Sequence, residues 1–144
     1  TAWLLGPKFG TLSVVIYLVL GAIGIPVFSG YGAGLAKLAG PTGGYLVGYL
    51  LLAFIGGMFI EKSKGNPVIS AVGLVLGDAA CYVLGTAWFV FQMQCELGYA
   101  LTVCVYPFIA LDLAKIVVSC IVGALLRKRL TQAGVLKLQN AVSE

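Results

Sequence analysis

The sequence predicts an all-α membrane protein, a polytopic helical bundle, and three observations carry that prediction. Of 144 residues, 60% are hydrophobic and only 10% are charged, where a soluble domain carries about 25% charge. Four apolar runs approach or exceed the ~20 residues that a bilayer core about 30 Å thick requires of a helix. The basic residues lie almost entirely on one side of those runs. A soluble domain of this length hides only about 70% of its unfolded surface, so a chain this apolar would expose large sticky patches to water. Lipid is the expected solvent.

The first run extends from Gly10 to Ile25, entered through Gly6-Pro7-Lys8 and stopped by Pro26. Ahead of it, Thr1 to Leu5 is too short to cross a membrane and reads as the last turn of a helix arriving at the cytoplasmic face. With no initial methionine, the N-terminus reads as cut. The second run goes from Thr42 to Ile60 and stops at Glu61-Lys62-Ser63-Lys64-Gly65-Asn66-Pro67. The third covers Val68 to Phe91. The fourth, Tyr99 to Leu126, is longer than one span requires, and Pro107 either breaks it or begins its regular part. The reading is one transmembrane domain over 1–144, with spans 10–25, 42–60, 68–91 and 99–126, an outward lid at 26–41 and a cytoplasmic tail at 127–144.

Cytoplasmic loops of membrane proteins hold the Lys and Arg excess. Lys8, Lys62, Lys64, Arg127, Lys128, Arg129 and Lys137 share one side, whereas Lys37 alone lies in a connection on the other. The C-terminus is therefore expected in the cytoplasm, with the 26–41 and 92–98 connections outside. The first span lacks the cleavage site and short apolar region of a secretory signal peptide.

Composition also excludes chemistry. Histidine is absent, removing the commonest general base and the commonest metal ligand together. Cys81, Cys95, Cys104 and Cys120 show no CxxC spacing, and all but Cys95 sit in apolar runs as small hydrophobes. There is no GxxxxGK[ST] phosphate loop and no nucleophile–base constellation. No catalytic residue, metal site or cofactor is expected, and no nucleic-acid partner.

Asp112 and Lys115 carry the strongest functional signal. An ionisable residue inside a span costs about 2.5–3.5 kcal/mol on insertion scales and faces a bundle interior or a polar cavity. Three residues apart, the two share a helix face with Phe108 and Ser119. One reading is an internal pair that merely neutralises itself. The other is a recognition spot, a carboxylate accepting N–H donors beside an ammonium donating to an oxygen. Asp78 lies about ten residues, or about 15 Å, into the third span, near the midplane. It shares a face with Tyr82, Gly85 and Phe89, and is a further intramembrane polar candidate.

The connection PVFSGYGAGLAKLAGPTGG contains six glycines and is too long for a simple turn, which marks a lid or binding loop. Thr42 is a candidate N-cap, after which Gly43 and Gly44 would let backbone N–H groups approach an anion at the positive end of a helix. The alternative is that these glycines serve only helix packing and turn geometry.

The strings GAIGIPVFSGYGAGLAKLAGPTGGYLVGY, CYVLGTAWF and VYPFIALDLAKI together resemble the BioY family, the biotin-specific S-components of energy-coupling-factor (ECF) transporters. The resemblance implies a six-helix S-component, here lacking the first helix and most of the second. It further implies biotin as ligand, and as partners a transmembrane coupling subunit and two ATPases, with membrane lipid around the bundle. The family's aspartate and lysine fall on Asp112 and Lys115, its lid on Pro26 to Tyr45, and its CYxxGTxW signature on Tyr82, Gly85 and Trp88. Gly30 and Leu46 stand where some members carry polar residues. Biotin suits these positions. Asp112 and Lys115 match its ureido ring, Phe28, Tyr31, Tyr82 and Trp88 would wall its apolar part, and Lys37 or the Thr42–Gly44 amides would meet its carboxylate. Two other function classes remain open: a structural or assembly subunit, and a channel or proton-coupled transporter using Asp78 and Asp112 as relays.

Overall fold

The computed structural model describes residues 1–64 and 66–132, and among them every regular element is a helix. Helix α1 spans Ala2–Ala22, α2 Leu35–Ala39, α3 Gly43–Lys62, α4 Pro67–Met93, α5 Leu97–Cys104 and α6 Tyr106–Gln132. Four of these, α1, α3, α4 and α6, are long and apolar enough to cross a membrane. Large apolar side chains lie exposed along all four, among them Ile16, Phe54, Val83 and Ile121. That surface suits lipid and is untenable in water.

Several boundaries differ from the sequence reading. Helix α1 is bent at Gly6, whose φ of 70° and ψ of −173° interrupt the helical path. Ala2 consequently comes to lie against Gly10, where a Cβ would be 3.2 Å from the Ala2 Cα; eight residues of straight helix would separate them by about 12 Å. The same helix ends at Ala22 rather than Ile25, because Gly24 takes a φ of 107°. The fourth run divides at Val105 into the short α5 and the long α6, with Pro107 in the first turn of α6, where its missing N–H has no helical partner to lose. Helix α6 also continues through Arg127–Arg129 to Gln132. Lys137 and the rest of 133–144 lie outside the described residues, as does Gly65.

Helices α3 and α4 form the most intimate pair, joined by a turn in which Asn66 Oδ1 accepts from the Val68 N–H at 3.0 Å and Pro67 opens α4. Small residues let the two backbones approach, the usual device where lipid leaves little hydrophobic drive between helices. A Cβ on Gly73 would fall 2.1 Å from Phe59 Cβ, and one on Gly48 would fall 2.7 Å from Cys81 Sγ. The sequence reading overlooked Trp3. It is buried with Ile60 and Cys120, and its indole lies in a notch on α6 where a Cβ at Gly123 would be 2.4 Å from the ring.

Candidate functional site

Helix α6 brings Asp112 and Lys115 onto one face, and Lys115 Nζ donates to Asp112 Oδ1 at 2.7 Å. From α4, the Tyr82 hydroxyl donates to the other carboxylate oxygen, Oδ2. Asp112 is thus held from two helices. Its side chain is 21% exposed and that of Lys115 is 72% exposed, so the ammonium, with three donors and one engaged, has two N–H groups free for a ligand. The cost of inserting such a pair into a span argues for a use beyond packing.

Tyr45 of α3 packs edge-on against Tyr82, with ring centroids 6.4 Å apart and planes at 82°. The Tyr45 hydroxyl shares a 2.9 Å hydrogen bond with Thr86 Oγ1. Gly85 makes room for this ring, since a Cβ there would lie 2.2 Å from Tyr45. Asp78, one turn before Tyr82 on α4, is half-buried and makes no hydrogen bond or ion pair among the described residues.

The connection between α1 and α3 is structured and pinned at both ends. On the α1 side, the Gly34 N–H donates to Gly21 O at 2.7 Å and the Phe28 N–H to Gly32 O at 3.0 Å. The Phe28 ring, only 3% exposed, fills a notch over Gly21, where a Cβ would fall 2.0 Å from it. It meets Tyr17 edge-on at 5.5 Å. On the α4 side, Trp88 Nε1 donates to Gly40 O at 2.9 Å and Gln92 Nε2 to Ala39 O at 2.6 Å. Within the first anchor, a single 3-10 turn, Ser29–Tyr31, forms the loop tip with left-handed φ at Gly30 and Tyr31.

The structure places the other expected site residues as follows. Phe28 is buried and anchors the loop. Tyr31 is 91% exposed at the loop tip. Trp88 uses its N–H to hold the loop. Thr42 occupies the N-cap position of α3, yet its side chain makes no cap hydrogen bond. Gly43 and Gly44 are closed off by protein: a Cβ on Gly43 would be 1.7 Å from Leu38 O, and one on Gly44 2.3 Å from Trp88 Cβ. The Gly43 N–H is donated to Gly40 O at 2.9 Å. Lys37, on α2, is half-buried with its aliphatic stem beside Gly32. Thr86 and Gln92 were overlooked in sequence, although each is a polar residue in a long apolar helix. A cavity of about 520 Å³ also opens beside α1, α3 and α6, lined by Ser13, Tyr17, Tyr49 and Ser119 among apolar groups. Asp112, Lys115 and Tyr82 do not line it.

Four long apolar helices, two of them linked through Tyr82 and the Asp112–Lys115 pair, define a multi-pass membrane protein. The chain belongs to the BioY family, whose sequence profile matches residues 1–132. It is 40% identical over 128 residues to the biotin transporter BioY of Thermotoga maritima, covering 89% of this chain and 75% of that protein. It is 34% identical over 131 residues to the biotin transporter BioY of Lactococcus lactis, covering 88% of this chain and 69% of that one. In fold it is similar to the crystal structure of the S-component for biotin from an ECF-type ABC transporter, with a TM-score of 0.81 and 34% identity, covering 88% of this chain and 69% of that chain.

Proposed function

We propose that this chain captures biotin at the outer face of the cell membrane and is the substrate-binding component of an ECF-type transporter. The observation that carries the reading is the Asp112–Lys115 pair completed by Tyr82, set among membrane-spanning helices of a BioY-family chain. Biotin's ureido ring offers N–H donors to Asp112 and a carbonyl to Lys115, and its thiophane ring meets the edge-packed Tyr45 and Tyr82. With the Gly43 amide engaged, Lys37 is the better partner for the carboxylate. ATP hydrolysis belongs to two separate ATPase subunits, coupled through a transmembrane partner, and the chain itself is not an enzyme. The C-terminus lies in the cytoplasm, an orientation supported by the basic residues at Lys8, Lys62, Lys64 and Arg127–Arg129.

Isothermal titration of the purified chain with biotin tests the reading, with saturable one-site binding expected. A folded chain that takes up no biotin ends it. Orientation is tested separately by cysteine labelling: a membrane-impermeant reagent applied outside should reach position 37 and miss position 128, and the reverse order would invert the topology.

A further inference from the structure

We infer that Tyr82 is a positioning residue that fixes the Asp112 carboxylate so that the site selects a ring carrying N–H and C=O on one edge. The inference rests on the biotin reading and deepens it by naming the residue of a second helix that holds the Asp112 carboxylate in place. A carboxylate has about four lone-pair positions on its two oxygens. Lys115 Nζ takes one on Oδ1, and the Tyr82 hydroxyl takes one on Oδ2. One acceptor position per oxygen remains. The position left on Oδ1 lies beside the Lys115 ammonium, 2.7 Å away, whose two other N–H groups are open. An acceptor next to a donor complements a ligand edge on which N–H and C=O point the same way.

That edge is the signature of a small ring. A cyclic urea or lactam locks N–H and C=O cis, whereas an open-chain secondary amide holds them trans and disfavours cis by about 2.5–4 kcal/mol. Lacking the Tyr82 hydroxyl, the carboxylate is free to rotate about its Cβ–Cγ bond, a broad and weakly restrained torsion. The acceptor then no longer stands beside the open N–H groups. Helix α4 therefore sets the selectivity of a charge pair that belongs wholly to α6. Tyr45 supports the arrangement by packing edge-on against the Tyr82 ring, but its own hydroxyl goes to Thr86 and never reaches Asp112.

The test is a titration series on the full chain in detergent, with biotin, desthiobiotin and biotin methylated on its ureido nitrogens. Tyr82→Phe keeps the ring and removes the hydroxyl. Biotin and desthiobiotin, which share the cyclic urea, should each bind about ten-fold more weakly to it, the effect of one hydrogen bond to a charged group. The methylated ligand should bind the two proteins within about two-fold of each other, because it has no N–H to present. In an Asp112→Asn background, Tyr82→Phe should add less than about two-fold.

Equal biotin affinity in Tyr82→Phe and the unsubstituted chain overturns the inference while leaving the biotin reading intact. So does a loss of the same size for the methylated ligand. A Tyr82→Phe chain that fails to fold assigns the hydroxyl to the scaffold and also overturns it. Absence of biotin binding by the unsubstituted chain removes the underlying reading instead.

Discussion

Helices α3 and α6 are both apolar spans, yet 44% of the most apolar window of α3 is buried against 11% of that of α6. The first is locked to α4 by glycines at which almost any side chain would collide with the neighbouring helix. The second carries the charge pair and is held at few points, chiefly Tyr82 on Asp112 and Trp3 in the notch at Gly123. The tightest packing and the charge pair thus lie on different helices. The α3–α4 pair is a frame, and α6 together with the tip of the outer loop are the elements left able to respond to a ligand.

The sharpest way to break this contrast is to attack the frame. Gly73→Leu would drive a side chain into Phe59, and overpacking of this kind costs up to about 3 kcal/mol. Thermal unfolding in detergent should show a large loss of stability, and an unchanged midpoint would mean that the α3–α4 contact is not what holds the frame. An attack on α6 should behave differently. Asp112→Asn should weaken biotin binding by at least ~1.5 kcal/mol, the lower range for a hydrogen bond to a charged group, while the unfolding midpoint falls by less than in Gly73→Leu, because an amide oxygen at this position still accepts from the Tyr82 hydroxyl. Titration and unfolding of the same preparation check both halves, and a stability loss comparable to that of Gly73→Leu would erase the distinction.

The outer loop lies between these extremes. Trp88→Phe removes the donor to Gly40 O and should loosen the α2 end of the loop by about 1 kcal/mol, read as faster amide exchange at residues 35–40 with little change at 28–34. Uniform acceleration across the loop would show that its two anchors are not independent. The smallest effect is expected at the tip. Tyr31→Ala should change stability by less than about 0.5 kcal/mol, as exposed substitutions do, since Tyr31 is 91% exposed. A drop in biotin affinity in the same variant would show that the tip closes on the ligand.

Much of this division was visible in the sequence, but unevenly. Apolar runs bounded by Pro26, Glu61–Lys64 and Asn66-Pro67 are local signals, so the long helices could be read directly. The spacing of Asp112 and Lys115 is also local, and their pairing follows from one turn of helix. Contacts set by register between distant segments could not be read. Tyr82 meets Asp112 across 30 residues, and Trp88 and Gln92 reach Gly40 and Ala39 across 48 and 53. Nothing near Phe28 announces that Gly21 leaves a notch for its ring. Gly43 and Gly44 illustrate the ambiguity most plainly, because a glycine cleared for a ligand and one cleared for a neighbouring helix look alike until the neighbour is placed. The bend at Gly6 hid Trp3 in the same way.

Hydrogen exchange of the purified chain with and without biotin tests the central claim, a fixed α3–α4 frame serving responsive elements, most directly. Added biotin should slow exchange at residues 28–34 and around Asp112 on α6, while α3, α4 and residues 61–64 keep their rates. Equal protection of frame, loop and α6, or a loop tip already fully protected before biotin is added, would contradict the account.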